Sequence, residues 1–181
     1  ARGVHAHHDL HVHRPVVAGD ELTTTATVVG MERRRSGVLQ TVRLSTVDAD
    51  HAPVATTWQG SMFLGFDLDG EEVVPDPGPD PLPGVGSEPE PSAPDAGTVV
   101  THDVGRGAAH VYSECARIWN PIHTDTSVAA AAGLPDIILH GTATLAMAVS
   151  DVIDRFADGD PARIRRVVAS FSGMVLLPSR I

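Results

Sequence analysis

The stretch that decides the fold runs from Tyr112 to Val149, "YSECARIWNPIHTDTSVAAAAGLPDIILHGTATLAMAV". Overlapping its start, "AAHVYSECARI", residues 108–118, predicts a short helix. "NPIH" predicts a turn that Pro121 stiffens by fixing its own backbone. "TDTSVAAAAG" predicts a helix that opens on Thr124 or Asp125 and closes on Gly133. From His140-Gly141 onward, Leu145, Val149, Val152 and Phe156 recur at helical spacing, which predicts a longer helix with one buried face.

Working outward, residues 3–65 alternate apolar and polar positions in four runs separated by "AGD", "RRSG" and "DADH", the pattern of antiparallel strands without a helix. Downstream of the long helix, "RIRRVVASFSGMVLL" predicts another strand. Between the two textures lies a segment of different composition. From Asp67 to Asp95 there are nine acids, no base and eight of the fourteen prolines, so it reads as an exposed, partly extended connector. The formal charge of −10 is concentrated there, and the rest of the chain is near neutral.

Composition excludes several functions. All 13 basic residues are arginine, so chemistry that needs a lysine amine, such as Schiff-base or pyridoxal catalysis, is ruled out. Net acidity without a basic face argues against nucleic acid as a partner. The apolar runs are far shorter than the ~20 residues of a membrane helix. One cysteine, Cys115, cannot form an internal disulfide, and no secretory leader pattern opens the sequence. A cytoplasmic location is therefore expected. Cys115 itself reads as small core filling, and Tyr112 as a ring packed beneath the motif loop.

The quoted stretch resembles the MaoC-like dehydratases and (R)-specific enoyl-CoA hydratases of the hotdog fold, whose pattern runs Y-x-x-x-S-G-D-x-N-P-I-H-x-D, an alanine-rich helix, and then I-x-H-G. "HAHHDLHVHRPVVAGDEL", residues 5–22, is similar to the outer strands of the preceding unit in double-hotdog members. The resemblance implies an α+β hotdog fold, an antiparallel sheet wrapped around a long central helix. It leaves open whether the chain holds parts of a double hotdog or a permuted single one. The expected organisation is strands of a first unit in 1–66, the acidic connector in 67–97, and a MaoC-like unit in 98–181.

The same resemblance assigns roles. His123 takes the place of the catalytic histidine and Gly141 that of the oxyanion-hole amide. Asn120 and Pro121 shape the loop, and His140 precedes the helix start as a support. The position of the catalytic aspartate is Ile118, and the S-G before it is Ala116-Arg117. An isoleucine neither accepts a proton nor orients water, and loss of one acid/base partner typically costs about 100- to 10,000-fold in rate. Glu114, one helical turn earlier, is a candidate substitute, and Asp125 and Asp136 are near in sequence. An apolar neighbour at 118 would also lower the pKa of a buried His123 and keep it neutral as a base.

The expected function is thus a hydro-lyase acting on acyl thioesters carried by coenzyme A or an acyl carrier protein, without cofactor or metal. The alternatives are a degenerate hotdog subunit that binds thioester or supports an active partner, and a hotdog thioesterase. Association as a homodimer or with a partner hotdog subunit is expected. His5, His7, His11 and His13 would share one strand face, as polar surface rather than a metal site. Arg33 to Arg35 and Arg163, Arg165 and Arg166 are candidate phosphate contacts, against the plainer reading of exposed turn residues.

Overall fold

The computed structural model describes residues 3–75 and 99–181. The four alternating runs form β1 (Gly3–Val12), β2 (Thr23–Arg34), β3 (Gly37–Val47) and β4 (Pro53–Leu64). After the connector come β5 (Asp103–Val104), α1 (Ala108–Ala116), α2 (Thr126–Ala131), α3 (Gly141–Phe156), β6 (Arg166–Ser170) and β7 (Ser179–Arg180). The predicted segments are all recovered, with the last predicted strand reduced to β6 and an isolated bridge between Ile138 and Leu176.

The sheet order is β2-β3-β4-β1-β6. Its last member comes from the part of the chain beyond the connector: β6 pairs antiparallel with β1 over His7 to His11. A two-pronged ion pair holds that junction. Arg166 donates to both oxygens of Asp9, at 3.0 and 2.9 Å, from across the strand boundary. Burial pushes the Asp9 carboxyl up, but the hydrogen bonds and charge of Arg166 outweigh it and hold the group below its ordinary value.

A bulge between His5 and His7 corrects the expected histidine face. His5 pairs with Ser61 and His7 with Gly60, adjacent positions that lie on opposite sides of the pleat. His5 and His8 therefore share one face, with ring centroids 5.3 Å apart, while His11 packs its ring against Trp58 on the other. No three His, Cys, Asp or Glu side chains among the described residues are grouped to hold a metal ion.

Most of the connector lies outside the described residues. Its first part, expected as an exposed connector, docks on β2: Met31 and Val73 exchange backbone hydrogen bonds at 2.7 and 2.9 Å. The arginines also find protein partners. Arg33 donates to the carbonyls of Leu68 and Gly70, Arg34 pairs with Glu32, and Arg163 pairs with Asp158.

The core behind the motif loop gathers Val104, Ala109, Ala129, Ile137, Leu139, Ala143 and Leu177. α3 buries only its first half in it. Ala143 is buried and Met147 packs on the cluster, whereas Val152 and Phe156 are 44% and 60% exposed, against the expectation of a face buried throughout. The reason is the local cover. The short β5–β7 pair reaches α3 through His102, whose Nε2 meets Asp151 at 2.8 Å, and the last turn beyond that contact stays open. Cys115, expected inside, is exposed, because the inward positions of α1 are Ala109 and Ser113. No helix among the described residues is long and apolar enough to cross a membrane.

Candidate active site

The motif loop begins where α1 ends. Arg117 closes the helix in the left-handed conformation, φ 55°, and the Ile118 amide donates back to the Ser113 carbonyl at 3.0 Å. Glycine adopts this conformation without a Cβ penalty, which for other residues is roughly 1–2 kcal/mol. We expect Arg117→Gly to raise stability by about 0.5–1 kcal/mol after the extra chain entropy of glycine is deducted, read as a higher urea midpoint at unchanged m-value.

Asn120 caps the next turn with its side-chain oxygen facing the Ile122 amide, and Pro121 occupies the first position of the 3-10 turn Pro121–His123. Asp125 then caps α2 by accepting from the Ser127 and Val128 amides at 2.8 and 3.2 Å. These consecutive caps leave the His123 side chain little freedom. It is buried, and its Nδ1 lies 2.8 Å from the Ile138 carbonyl. A carbonyl only accepts, so Nδ1 carries the proton and Nε2 keeps its lone pair, with no partner among the described residues. Burial lowers the His123 pKa, only partly opposed by the bond to Ile138, and keeps the ring neutral.

His140 completes the constellation. Its ring stacks on His123, centroids 3.6 Å apart and planes inclined by 23°, with the Tyr112 ring 5.0 Å away. Its Nε2 lies 3.3 Å from both the Ser113 hydroxyl and the Ile118 carbonyl. Burial, then the neighbouring His123, lowers its pKa to about 4. The backbone turns into α3 at the next residue. The first amides to close helical bonds are those of Ala143 and Thr144, both to the His140 carbonyl, so among the described residues the Gly141 and Thr142 amides are the donors of the helix start left without a partner.

Gly141 is glycine for a reason the sequence did not suggest. A Cβ there would meet the Phe171 ring at 3.1 Å. That ring is held by His5, 4.8 Å away, and by a bond from the Phe171 amide to the Ala6 carbonyl at 2.9 Å. Gly141→Ala should therefore lower stability by about 1 kcal/mol despite alanine's better helix propensity. Adding Phe171→Leu should restore most of the loss, and a thermal-melt double-mutant cycle measures the coupling.

Among the described residues, no acid stands at the histidine pair. Ile118 is 40% exposed and contributes its carbonyl rather than its side chain. Of the candidate substitutes, Asp125 is committed to its cap, and Asp136 makes a two-pronged pair with Arg106 at 3.0 Å. Glu114 accepts from the Trp119 indole at 3.2 Å. It borders a cavity of about 560 Å³ lined by His110, Ser113, Glu114, Trp119, Pro121 and Thr124, on the flank of the motif loop. Among the described residues, no carboxylate bonds to either imidazole.

Sequence reasoning missed Ser113, Ile138 and Phe171. Ile138 acts through its backbone, which no side-chain pattern announces. Phe171 belongs to a strand end whose facing partner is set by tertiary packing.

Comparison with known proteins identifies the fold and the family of this segment. Residues 100–181 match the MaoC-like domain, and residues 1–57 match the dehydratase domain region of FAS1-like proteins. Peroxisomal multifunctional enzyme type 2 of Drosophila melanogaster is 44% identical over 57 residues, 32% of this chain and 10% of that protein. Enoyl-CoA hydratase ChsH3 of Mycobacterium tuberculosis is 40% identical over 55 residues, 30% of this chain and 19% of that protein. The crystal structure of a MaoC-like dehydratase from Phytophthora capsici superposes with a TM-score of 0.77 at 23% identity, over 99% of this chain and 60% of that one. A Mycobacterium tuberculosis protein described as a double hotdog fold gives a TM-score of 0.62 at 18% identity, over 98% of this chain and 60% of that one. The chain thus spans a small part of these curated relatives and 60% of each of these structures.

Proposed function

We propose, from a chain whose residues 100–181 belong to the MaoC-like dehydratase family and whose architecture is that of the hotdog proteins, that it adds water reversibly to 2-enoyl thioesters. The observation that carries this reading is the fixed tautomer of His123. Its Nδ1 proton is held by Ile138, and a lone pair is left at Nε2 beside the ring that leads into the free amides of α3. A buried neutral imidazole is a competent base near neutral pH.

In the hydration direction, Nε2 takes a proton from water as the water oxygen bonds to C3. The C2=C3 electron pair moves toward the thioester carbonyl, and the oxygen charge is received by the Gly141 and Thr142 amides. The imidazolium then returns its proton to C2, so one water is added across the double bond and the base is regenerated. With isoleucine at 118, one imidazole performs both transfers, and a slow rate is expected. Asn120 and Pro121 serve by shaping the loop.

The acyl carrier is coenzyme A or an acyl carrier protein. The single Cys115 supports a reducing, cytoplasmic setting, and the open end of α3 supports association with a second copy or a partner hotdog chain. We assign 1–66 and 98–181 to two hotdog units joined by the acidic connector.

Ile118 favours a second reading, a unit that binds thioester and supports an active partner. Thioester hydrolysis is disfavoured: the Ser113 hydroxyl faces an imidazole nitrogen whose proton is fixed by the Ile118 carbonyl, so the serine is not activated. Crotonyl thioester offered to the purified chain separates the three. Loss of the enone absorbance without free thiol is the expected result. Thiol release would replace the proposal with hydrolysis, and saturable binding without turnover would leave the supporting role.

A further inference from the structure

The histidine before the helix start does more than precede it. Its Nε2 faces two acceptors from two segments, the Ser113 hydroxyl on α1 and the Ile118 carbonyl on the motif loop, each at 3.3 Å. Because the carbonyl cannot donate, Nε2 carries the proton and is shared between them. The other nitrogen, Nδ1, is buried without a hydrogen-bond partner among the described residues. A phenylalanine would provide the ring face without that buried acceptor, and a glutamine would provide the N–H without the ring. Histidine provides both at once.

We propose that His140 is the positioning residue of this site: its N–H fixes the motif loop through the backbone of residue 118 while its ring face fixes the plane of the His123 imidazole. The inference rests on the hydratase reading for its kinetic consequences, but its geometric content stands apart from it. Backbone anchoring explains how the loop keeps its shape around Ile118. The carbonyl is supplied by whatever residue stands there, so the side chain can change without loosening the loop.

Two variants divide the roles. His140→Gln keeps an N–H at a similar reach and removes the stack, and His140→Phe keeps a flat ring and removes the N–H. With the full chain and crotonyl thioester, kcat should fall about 10- to 100-fold in the glutamine variant with KM within about 2-fold, the signature of a base held in the wrong plane. In the phenylalanine variant both parameters should worsen, because the loop itself is released.

An activity-free readout accompanies these assays. In the unaltered protein the side-chain nitrogen signals of His123 should be one protonated and one lone-pair type. In the glutamine variant they should draw together as the ring moves between tautomers. If the phenylalanine variant does not fold, the glutamine variant and its His123 signals carry the test. Unchanged His123 signals together with unchanged kcat per folded molecule in the glutamine variant would overturn the proposal. A chain that hydrates nothing but shows the signal change loses the hydratase reading and keeps this one.

Discussion

Ile118→Asp should raise enoyl-thioester hydration by about 100-fold or more, the inverse of what losing one acid/base partner costs. The substitution asks little of the backbone. The residue is 40% exposed, its amide and carbonyl are already bonded to Ser113 and His140, and neither bond involves the side chain. A carboxylate placed there enters a loop whose backbone is bonded to His140, the ring stacked on His123. It can then orient the attacking water while His123 transfers the proton. The measurement is kcat/KM for crotonyl thioester with and without the substitution, in the same preparation. A flat response, with the fold intact by circular dichroism, would mean that position 118 does not face the reacting water.

His123→Ala should remove about 100- to 10,000-fold of whatever hydration the chain performs, since it deletes the proposed base at the helix mouth. The pH dependence is the sharper test. Burial lowers the pKa of His123, so the loss of rate on acidification, as the ring takes up a proton, should be centred below the ordinary histidine value near 6.5. A rate that halves at an ordinary histidine pKa would place the base on an exposed imidazole. Any residual rate in the alanine variant should lose that inflection, leaving the contribution of the helix amides.

Much of this was legible in the sequence, for identifiable physical reasons. The four strands announce themselves because each alternates over ten or more residues, and Asp125 and Gly133 mark α2 by cap chemistry that acts within a turn. The Asn-Pro corner likewise fixes His123 locally. What failed was non-local. The bulge at His5 and His7 reverses a face count that assumed an unbroken pleat. The exposure of Val152 and Phe156 depends on what covers α3, not on their spacing along it. The carboxylates proposed as substitutes were close in sequence, but each is drawn elsewhere by a cap, an arginine or an indole.

The pairing of β6 with β1 carries a consequence for how this molecule is divided. Composition draws a border through the proline-rich segment, while hydrogen bonding draws it elsewhere, since the strand that follows α3 is woven into the sheet built before that segment. The aromatic wall at Gly141 is assembled from both sides of the compositional border, from His5 and Phe171. The two compositional halves are therefore not interchangeable cassettes. Opening the β1–β6 edge would disturb the wall that faces Gly141.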